Sequence, residues 1–186
     1  DYGLGHTGGY MNTLTDEQLN NKIRSFILKR GYMVTFAVGT AGWGYSRCFI
    51  ADAEDLEIAS LPNVLDGKIS SYRIFKWYDA QKKGLAADMN LDTNNALKSS
   101  WTYSWGVGGD MGPDVECVPH HIKEGWPSIT DMGAQNFSPH AKTNNEPANN
   151  ADDGPATVDQ VLANWQDLMR TGLRLCSPYS HDGGYK

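Results

Sequence analysis

A carboxylic acid, an amide and a proline lie side by side in the segment 142–148, which reads Lys-Thr-Asn-Asn-Glu-Pro-Ala. The acid is Glu146, and the amide before it is Asn145. A glutamic acid that stays protonated can give its proton to a leaving oxygen, and an adjacent amide can orient a hydroxylated substrate without adding charge. On spacing alone, an Asn-Glu-Pro tripeptide is more typical of a solvated loop. A catalytic role for Glu146 therefore depends on the elements around it.

The residues that flank Glu146 predict a strand before it and a loop after it. Residues 138–145 have the pattern of a short strand, and residues 149–155 (NNADDGP) form a polar loop. In chains that alternate strands and helices, the loops after the strands open on one common face and carry the chemistry. We expect Glu146 to lie on that face.

The clearest element in the sequence is a helix over residues 157–172. Thr157 and Gln160 match a capping box, and Gly172 supplies a left-handed stop. The apolar residues fall on one helical face, which we expect to be buried: Val158, Val161, Leu162, Trp165, Leu168 and Met169. Residues 173–177 follow as a strand. A helix between two short apolar strands predicts a βαβ unit with parallel strands.

The spacing of these elements predicts an α/β fold. From residue 84 onward the pattern indicates about five strands and two to four helices, at roughly 20 to 25 residues per unit. A closed (β/α)8 barrel takes ~250 residues. We therefore expect residues 83–186 to form the N-terminal portion of a TIM-type barrel, with about five of its strands.

The N-terminal part of the chain has a different periodicity. Residues 22–78 are dense in aromatic and β-branched residues with a period of two, which predicts a partial antiparallel β-sandwich-like module. Within it, residues 25–29 and 32–38 flank a glycine turn and are expected to pair as a hairpin. Residues 1–21 are rich in Gly, Asn and Thr, and we expect a loop or a displaced tail there.

Composition and motifs exclude several classes of protein. The net charge of -6 argues against a nucleic-acid partner, and no apolar run approaches the ~20 residues of a membrane span. The glycine-rich loop 39–44 lacks the phosphate-binding pattern, and no G-x-S-x-G elbow is present. The cysteines have no metal-ligand spacing: Cys48, Cys117 and Cys176. We predict neither a metal nor a cofactor.

Four blocks in chain order resemble the catalytic core of glycoside hydrolase family 128. The blocks are Trp101-Thr-Tyr-Ser-Trp-Gly106, Val115-Glu-Cys-Val-Pro119, Thr143-Asn-Asn-Glu-Pro147, and Trp165 through Leu173-Arg-Leu-Cys-Ser-Pro178. The match covers roughly residues 83 to 184. The resemblance implies a (β/α)8 fold and retaining endo-acting hydrolysis of β-1,3-glucan or a related β-glucan. It also implies a secreted or cell-envelope-associated protein.

The resemblance assigns roles one residue at a time. Glu146 matches the general acid/base, and Asn145 matches the preceding asparagine, which in related barrels hydrogen-bonds the sugar 2-hydroxyl. Trp105 and Tyr103 match aromatic positions that line the sugar cleft.

Two departures from the family pattern leave the substrate preference open. Asn144 stands where the family usually has an apolar or aromatic residue, and His120-His121 replaces a Met-Leu-Trp-like run. Neighbouring residues of a strand point to opposite faces, so one histidine is expected to face the cleft. We take His121 as the candidate substrate ligand.

The second carboxylate of a retaining mechanism is not identifiable from the sequence. Retaining hydrolysis needs a nucleophile ~5 to 5.5 Å from the acid/base. The resemblance implies that it follows a late strand, and we expect this chain alone not to hydrolyse glucan. Internal candidates are Asp88, Glu116 and Asp152, and Glu116 lies mid-strand, where a solvated side chain or a surface ion pair is expected. The alternatives are a non-catalytic carbohydrate-binding protein or an incomplete fragment.

Overall fold

The computed structural model of the chain describes residues 8–86, 89–147, 149 and 156–179. The strands in the N-terminal part are β1 (Asn12–Thr13), β2 (Phe26–Leu28), β3 (Tyr32–Ala37), β4 (Ser46–Ala51), β5 (Leu56–Ile58) and β6 (Ser71–Lys76). Those that follow are β7 (Gly84–Ala86), β8 (Trp101–Tyr103), β9 (Glu116–Val118), β10 (His120–His121), β11 (His140–Thr143) and β12 (Arg174–Leu175). The helices are α1 (Leu91–Ala96), α2 (Ile129–Ala134) and α3 (Val158–Arg170).

The N-terminal part is built on a four-stranded antiparallel sheet in the order β1-β6-β3-β4. Side chains of β3 alternate between its two faces. Val34 and Phe36 face an apolar cluster under β2 and β5, whereas Met33 joins a second cluster on the opposite face. The sheet is therefore covered on both sides.

The hairpin expected between residues 25–29 and 32–38 is wrong. β2 pairs with β5 in a separate two-stranded antiparallel sheet, and Phe26 contacts the rings of Phe36 and Phe49 edge-on at 5.2 and 5.1 Å. β3 has both of its edges filled by β4 and β6, so it offers β2 no place to pair. At Gly31, whose φ is 82°, the chain passes from one layer to the other.

The segment 8–21 is more ordered than the loop or tail expected from its composition. β1 pairs with β6, and Met11 and Leu14 are buried in the core. The Met11 amide also donates to the carbonyl of Arg170 at 2.9 Å. The prediction of a displaced tail is therefore wrong for these residues, and residues 1–7 lie outside the described part.

The C-terminal part contains parallel strands in chain order. β7, β8 and β9 form one parallel sheet, and β10, β11 and β12 form another. A single residue, Pro119, separates β9 from β10, so the segment 116–121 pairs first with β8 and then with β11. The mixed α/β character expected from the sequence is confirmed in this coarse form, and the barrel and sandwich assignments stay predictions.

Helix α3 forms where the sequence predicted it, with both halves of the capping box made by Thr157 and Gln160. Gly172 takes the left-handed conformation with a φ of 77°. The expectation that the whole apolar face is buried is wrong. Leu168 is fully buried, but Leu162 is 64% exposed, although α3 contacts α2, β12 and the residue 40–42 turn.

A buried arginine joins the antiparallel sheet to the parallel strands. Arg73 of β6 is fully buried and donates hydrogen bonds to the carbonyls of Thr171 and Gln135. The hydroxyl of Thr35 donates to the carbonyl of Gly172 at 2.6 Å. These carbonyls precede β11 and β12, so the antiparallel sheet covers the N-terminal ends of the two strands. The candidate site lies at the opposite, C-terminal ends.

Candidate functional site

Four rings come together at the C-terminal ends of the parallel strands, and we name Tyr103, Trp105, His120 and Tyr179 the ring cluster. The Trp105 centroid lies 5.5 Å from that of Tyr103 and 5.4 Å from that of His120. Tyr179 lies 6.2 Å from His120. The indole of Trp105 is 50% exposed, so it presents an apolar face that could stack on a sugar ring.

Lys142 extends from β11 across this cluster. Its ammonium lies 3.3 Å from the centroid of the Tyr103 ring and 5.3 Å from that of Tyr179. Lys142 is paired in register with His120, so their side chains share one face of the strands. Burial lowers the pKa of Lys142, and within the described residues no carboxylate forms an ion pair with it.

Burial determines the protonation states of Tyr179 and His120 in the cluster. Burial raises the pKa of Tyr179 to about 12, with smaller contributions from Tyr103, Cys176 and Glu146, so the phenol keeps its proton. Burial lowers the pKa of His120 to about 4, with Lys142 and His121 adding to the effect.

The Tyr179 hydroxyl lies 3.2 Å from Nε2 of this neutral imidazole, within hydrogen-bond distance. Nδ1 of His120 is buried and has no hydrogen-bond partner among the residues that the structure describes.

Glu146 follows β11 at the same end of the strands. Its φ is 46°, a conformation that is uncommon for a residue with a side chain and that clusters at functional sites. Its amide donates to the carbonyl of Tyr179 at 3.0 Å, and the amide of Asn145 donates to the carbonyl of Ile122 at 2.8 Å. The main chain of the Asn-Glu-Pro motif is therefore held on both sides, by the segments that follow β10 and β12.

The carboxylate of Glu146 is half-buried and accepts one hydrogen bond. Oε2 accepts from the side-chain amide of Asn149 at 2.8 Å, and no ion pair to Glu146 occurs within residues 8–86, 89–147, 149 and 156–179. This bond fixes one oxygen with a neutral donor.

The structure brings together some of the residues predicted from the sequence. Tyr103 and Trp105 are in direct ring contact, and Asn145 and Glu146 are joined to them through Tyr179. His121 lies apart from these rings. Nδ1 of His121 is 2.8 Å from the carbonyl oxygen of Pro127. The neighbouring histidine, His120, is the one whose ring belongs to the ring cluster. A substrate contact for His121 stays a prediction, and the geometry favours its neighbour.

Glu116 differs from the expected solvated residue or surface ion pair. It is 1% exposed, and its Oε1 accepts from the Ser138 hydroxyl at 2.5 Å and lies 2.9 Å from Nδ1 of His140. Both partners belong to the segment of β11, far along the chain, which the local sequence could not indicate. The other two candidate carboxylates, Asp88 and Asp152, lie outside the described residues.

Sequence reasoning missed three members of the site: His120, Lys142 and Tyr179. Alternation along β11 was the available signal for Lys142, because it places residue 142 on the same side as residue 144, at the end that leads to Glu146. Tyr179 follows β12 after Pro178 and carried no local signal.

Over the described part of the chain, no group of three or more His, Cys, Asp or Glu side chains could hold a metal ion, and no helix is long and apolar enough to cross a membrane.

Comparisons with known proteins give one partial likeness. The sequence matches no protein-family model, and no curated protein matches it. Among solved structures, the chain is similar to an endo-β-1,3-glucanase of glycoside hydrolase family 128 (subgroup I) from Amycolatopsis mediterranei, a variant in complex with laminaritriose and laminaribiose. The identity is 27%, the alignment covers 55% of this chain and 45% of that chain, and the TM-score is 0.46. The matched part thus spans less than half of the glucanase, and a score at this level does not establish a common fold.

Proposed function

We propose that residues 83–179 bind β-glucan and supply the general acid/base of a retaining endo-β-1,3-glucanase, with Glu146 in that role. The proposal depends above all on the position of Glu146 at the C-terminal end of β11. Its main chain is bonded to Tyr179, and the ring of Tyr179 belongs to the ring cluster with the half-exposed Trp105. An acid beside an exposed aromatic face is what cleavage of a sugar chain requires.

The order of the strands supports the same proposal. The parallel segments from β7 to β12 follow one another in chain order, as the strands of a (β/α)8 barrel do. In such barrels the active site lies at the C-terminal ends of the strands, which is where Glu146 and the ring cluster are found. We therefore propose that this part is the N-terminal portion of a barrel, to which the sheet of residues 22–78 is attached as an accessory module.

The chemistry would begin with proton transfer from Glu146 to the glycosidic oxygen. In a retaining mechanism the same group then removes a proton from the attacking water. Asn149 holds Oε2, which leaves Oε1 as the oxygen that exchanges the proton. Asn145 would orient the sugar 2-hydroxyl, and Trp105 would stack on an adjoining sugar unit.

The described residues provide only one carboxylate for this reaction. Glu116 cannot be the nucleophile, because it is buried and bonded to Ser138 and His140, two residues at the start of the β11 segment. This observation favours a second candidate function, a carbohydrate-binding protein that holds glucan without cleaving it.

Binding and cleavage can be measured on the same set of variants. We expect the chain to bind laminaritriose in isothermal titration calorimetry, and we expect Trp105→Ala to weaken that binding by tenfold or more, because it removes the stacking face. Glu146→Gln is expected to leave affinity nearly unchanged. Glu57→Gln, at an exposed position of β5, is the matched control. Absence of laminaritriose binding by the native chain would overturn the proposal.

Release of oligosaccharides from laminarin tests the acid/base role directly. Release that Glu146→Gln abolishes and Glu57→Gln preserves would establish that role and exclude a function in binding alone. Tight binding with no release is the result expected of this chain under both candidate functions, because the second carboxylate of a retaining mechanism is not identified in it.

A further inference from the structure

We infer that the chain has a second glucan-binding surface in its N-terminal part, at the end of the molecule opposite to the ring cluster. This surface consists of the exposed rings of Trp43 and Tyr45, which we name the aromatic platform. The inference rests on the proposed function and adds a site for the same polysaccharide outside the cleft. It also gives a role to the glycine-rich loop 39–44, which the proposed reaction does not use.

Trp43 presents one face of its indole to solvent. The residue is 48% exposed, although the guanidinium of Arg170 lies over its ring at 4.2 Å from the centroid. The same guanidinium lies 3.7 Å from the centroid of the Tyr10 ring, and the Arg170 side chain is only 13% exposed. Because Arg170 covers one face of the indole, the exposed area belongs to the opposite face and the ring edge. A flat aromatic face with a fixed support is suited to stack on a sugar ring.

The loop that carries Trp43 is closed by its own main chain. The amide of Gly39 donates to the carbonyl of Trp43 at 2.8 Å, and the amide of Trp43 donates to the carbonyl of Thr40 at 3.1 Å. A side chain at residue 39 would come within 2.6 Å of the Trp43 carbonyl oxygen. The turn therefore closes only with glycine at this position.

The loop is also fastened to the C-terminal end of α3. Nε of Arg170 donates to the carbonyl of Ala41 at 3.1 Å, and a Cβ at Gly42 would lie 2.5 Å from the carbonyl oxygen of Arg170. Ala41 has a φ of 48°, the kind of backbone strain that clusters at functional sites. A loop held in this way presents Trp43 in one position, which reduces the entropy lost when a ligand binds.

Polar groups accompany the exposed rings. Oδ1 of Asp167 accepts from the Arg170 guanidinium at 2.7 Å, and the Asp167 side chain is 41% exposed. Among the described residues, Oδ2 of Asp167 has no hydrogen-bond partner. Tyr45 is 47% exposed and brings a phenol hydroxyl. A sugar has an apolar ring face for the indole and hydroxyl groups for the carboxylate and the phenol, so it matches this set better than a wholly apolar ligand does.

The aromatic platform and the ring cluster lie at opposite ends of the parallel strands. Arg170 is the last residue of α3, and the chain passes from it through Gly172 to the start of β12. Tyr179, a member of the ring cluster, follows the end of β12. A long glucan, or two neighbouring strands of an insoluble one, can therefore occupy both surfaces. Binding at two linked sites is tighter overall than binding at either one.

The test measures the binding that remains when the stacking face of the cleft is removed. We expect Trp105→Ala to keep a weaker binding of laminaritriose in isothermal titration calorimetry, because an open platform contacts only one side of a sugar chain. Adding Trp43→Ala is expected to weaken this remaining binding by a further tenfold or more. In the otherwise native chain, Trp43→Ala is expected to weaken co-sedimentation with insoluble β-1,3-glucan by tenfold or more, since one site then holds the polymer instead of two.

Matched variants separate stacking from effects on folding. In the Trp105→Ala background, Trp43→Phe keeps an aromatic face and is expected to keep most of the remaining binding. Trp43→Met fills similar space without such a face and is expected to lose that binding. Asp167→Asn is expected to weaken it a few-fold. Val64→Ala removes an apolar side chain of the N-terminal part that is also 48% exposed, and it is expected to change nothing.

The outcomes distinguish this inference from the proposed function. If the native chain binds laminaritriose and Trp105→Ala binds none, the inference alone is overturned. It is also overturned if the binding left in Trp105→Ala survives Trp43→Ala. A Trp43→Ala variant that keeps all sugar binding but changes the oligomeric state in analytical ultracentrifugation would show a contact between copies instead. Binding that Trp43→Ala removes and Trp105→Ala leaves unchanged would support the inference and remove the cleft from the proposed function. A native chain that binds neither laminaritriose nor insoluble glucan would overturn both.

Discussion

The hydroxyl of Tyr179 lies 3.2 Å from Nε2 of His120, and this contact ties the segment after β12 to β10 across the intervening strand β11. His120 is fully buried. A buried donor or acceptor that loses its hydrogen-bond partner costs about 1 to 3 kcal/mol. We therefore expect Tyr179→Phe to lower the free energy of unfolding by an amount in this range, measured by urea denaturation.

A double-mutant cycle checks that this loss arises from the contact. In the background of His120→Phe, where the imidazole is already absent, Tyr179→Phe is expected to cost much less than it does in the native chain. Equal losses in both backgrounds would show that the hydroxyl acts elsewhere.

Acid is expected to destabilise the chain through His120. Burial depresses the pKa of this group from 6.5 to about 4 in the folded state. Between pH 6.5 and about pH 4, the unfolded chain binds more protons than the folded chain. The free energy of unfolding therefore decreases as the pH falls through this range. One pKa unit corresponds to about 1.4 kcal/mol, so the shift from 6.5 to about 4 sets an upper bound of about 3.5 kcal/mol on this contribution.

Urea denaturation at pH 7, 5.5 and 4 measures this contribution. We expect His120→Phe to give a shallower decrease than the native chain, with a residual slope from His121, whose pKa burial also lowers. An unchanged slope in His120→Phe would contradict the assignment of a neutral imidazole in the cluster.

Local signals predicted the elements that local interactions determine. The capping box of Thr157 and Gln160 and the stop at Gly172 are short-range features, and α3 begins and ends where they indicate. The resemblance likewise singled out Tyr103 and Trp105, and their rings are in contact. Both predictions concern residues close together in the chain.

Partners far apart in the chain could not be predicted in the same way. β2 pairs with β5 because the edges of β3 are filled by strands that the local pattern of residues 25–38 does not contain. Glu116 is buried because Ser138 and His140, on the following strand segment, provide its hydrogen bonds. Tyr179 meets His120 only once β10, β11 and β12 lie side by side. In each case a distant residue supplied the missing information.

Arg73 is expected to be a principal determinant of stability. Its guanidinium is buried between β6 and the N-terminal ends of β11 and β12, where it donates to Thr171 and Gln135. Arg73→Met would leave both buried carbonyls without these donors, and each hydrogen bond from a charged group contributes about 1.5 to 3 kcal/mol. We expect a loss of about 3 kcal/mol or more in the free energy of unfolding. Lys76→Met, an exposed position of the same strand, is the control and should change it by less than about 0.5 kcal/mol.

Two leucines of α3 test how much of its apolar face contributes to folding. Leu168 is fully buried at the C-terminal end of the helix, whereas Leu162 is 64% exposed on the same apolar face. Removing a buried leucine side chain costs about 2 to 5 kcal/mol, because contacts are lost and a cavity is left behind. We expect Leu168→Ala to fall in that range in urea denaturation and Leu162→Ala to cost less than about 1 kcal/mol. Since the two substitutions remove the same atoms from the same helix, their difference measures burial alone. Similar losses at both positions would mean that the N-terminal half of α3 is covered in solution.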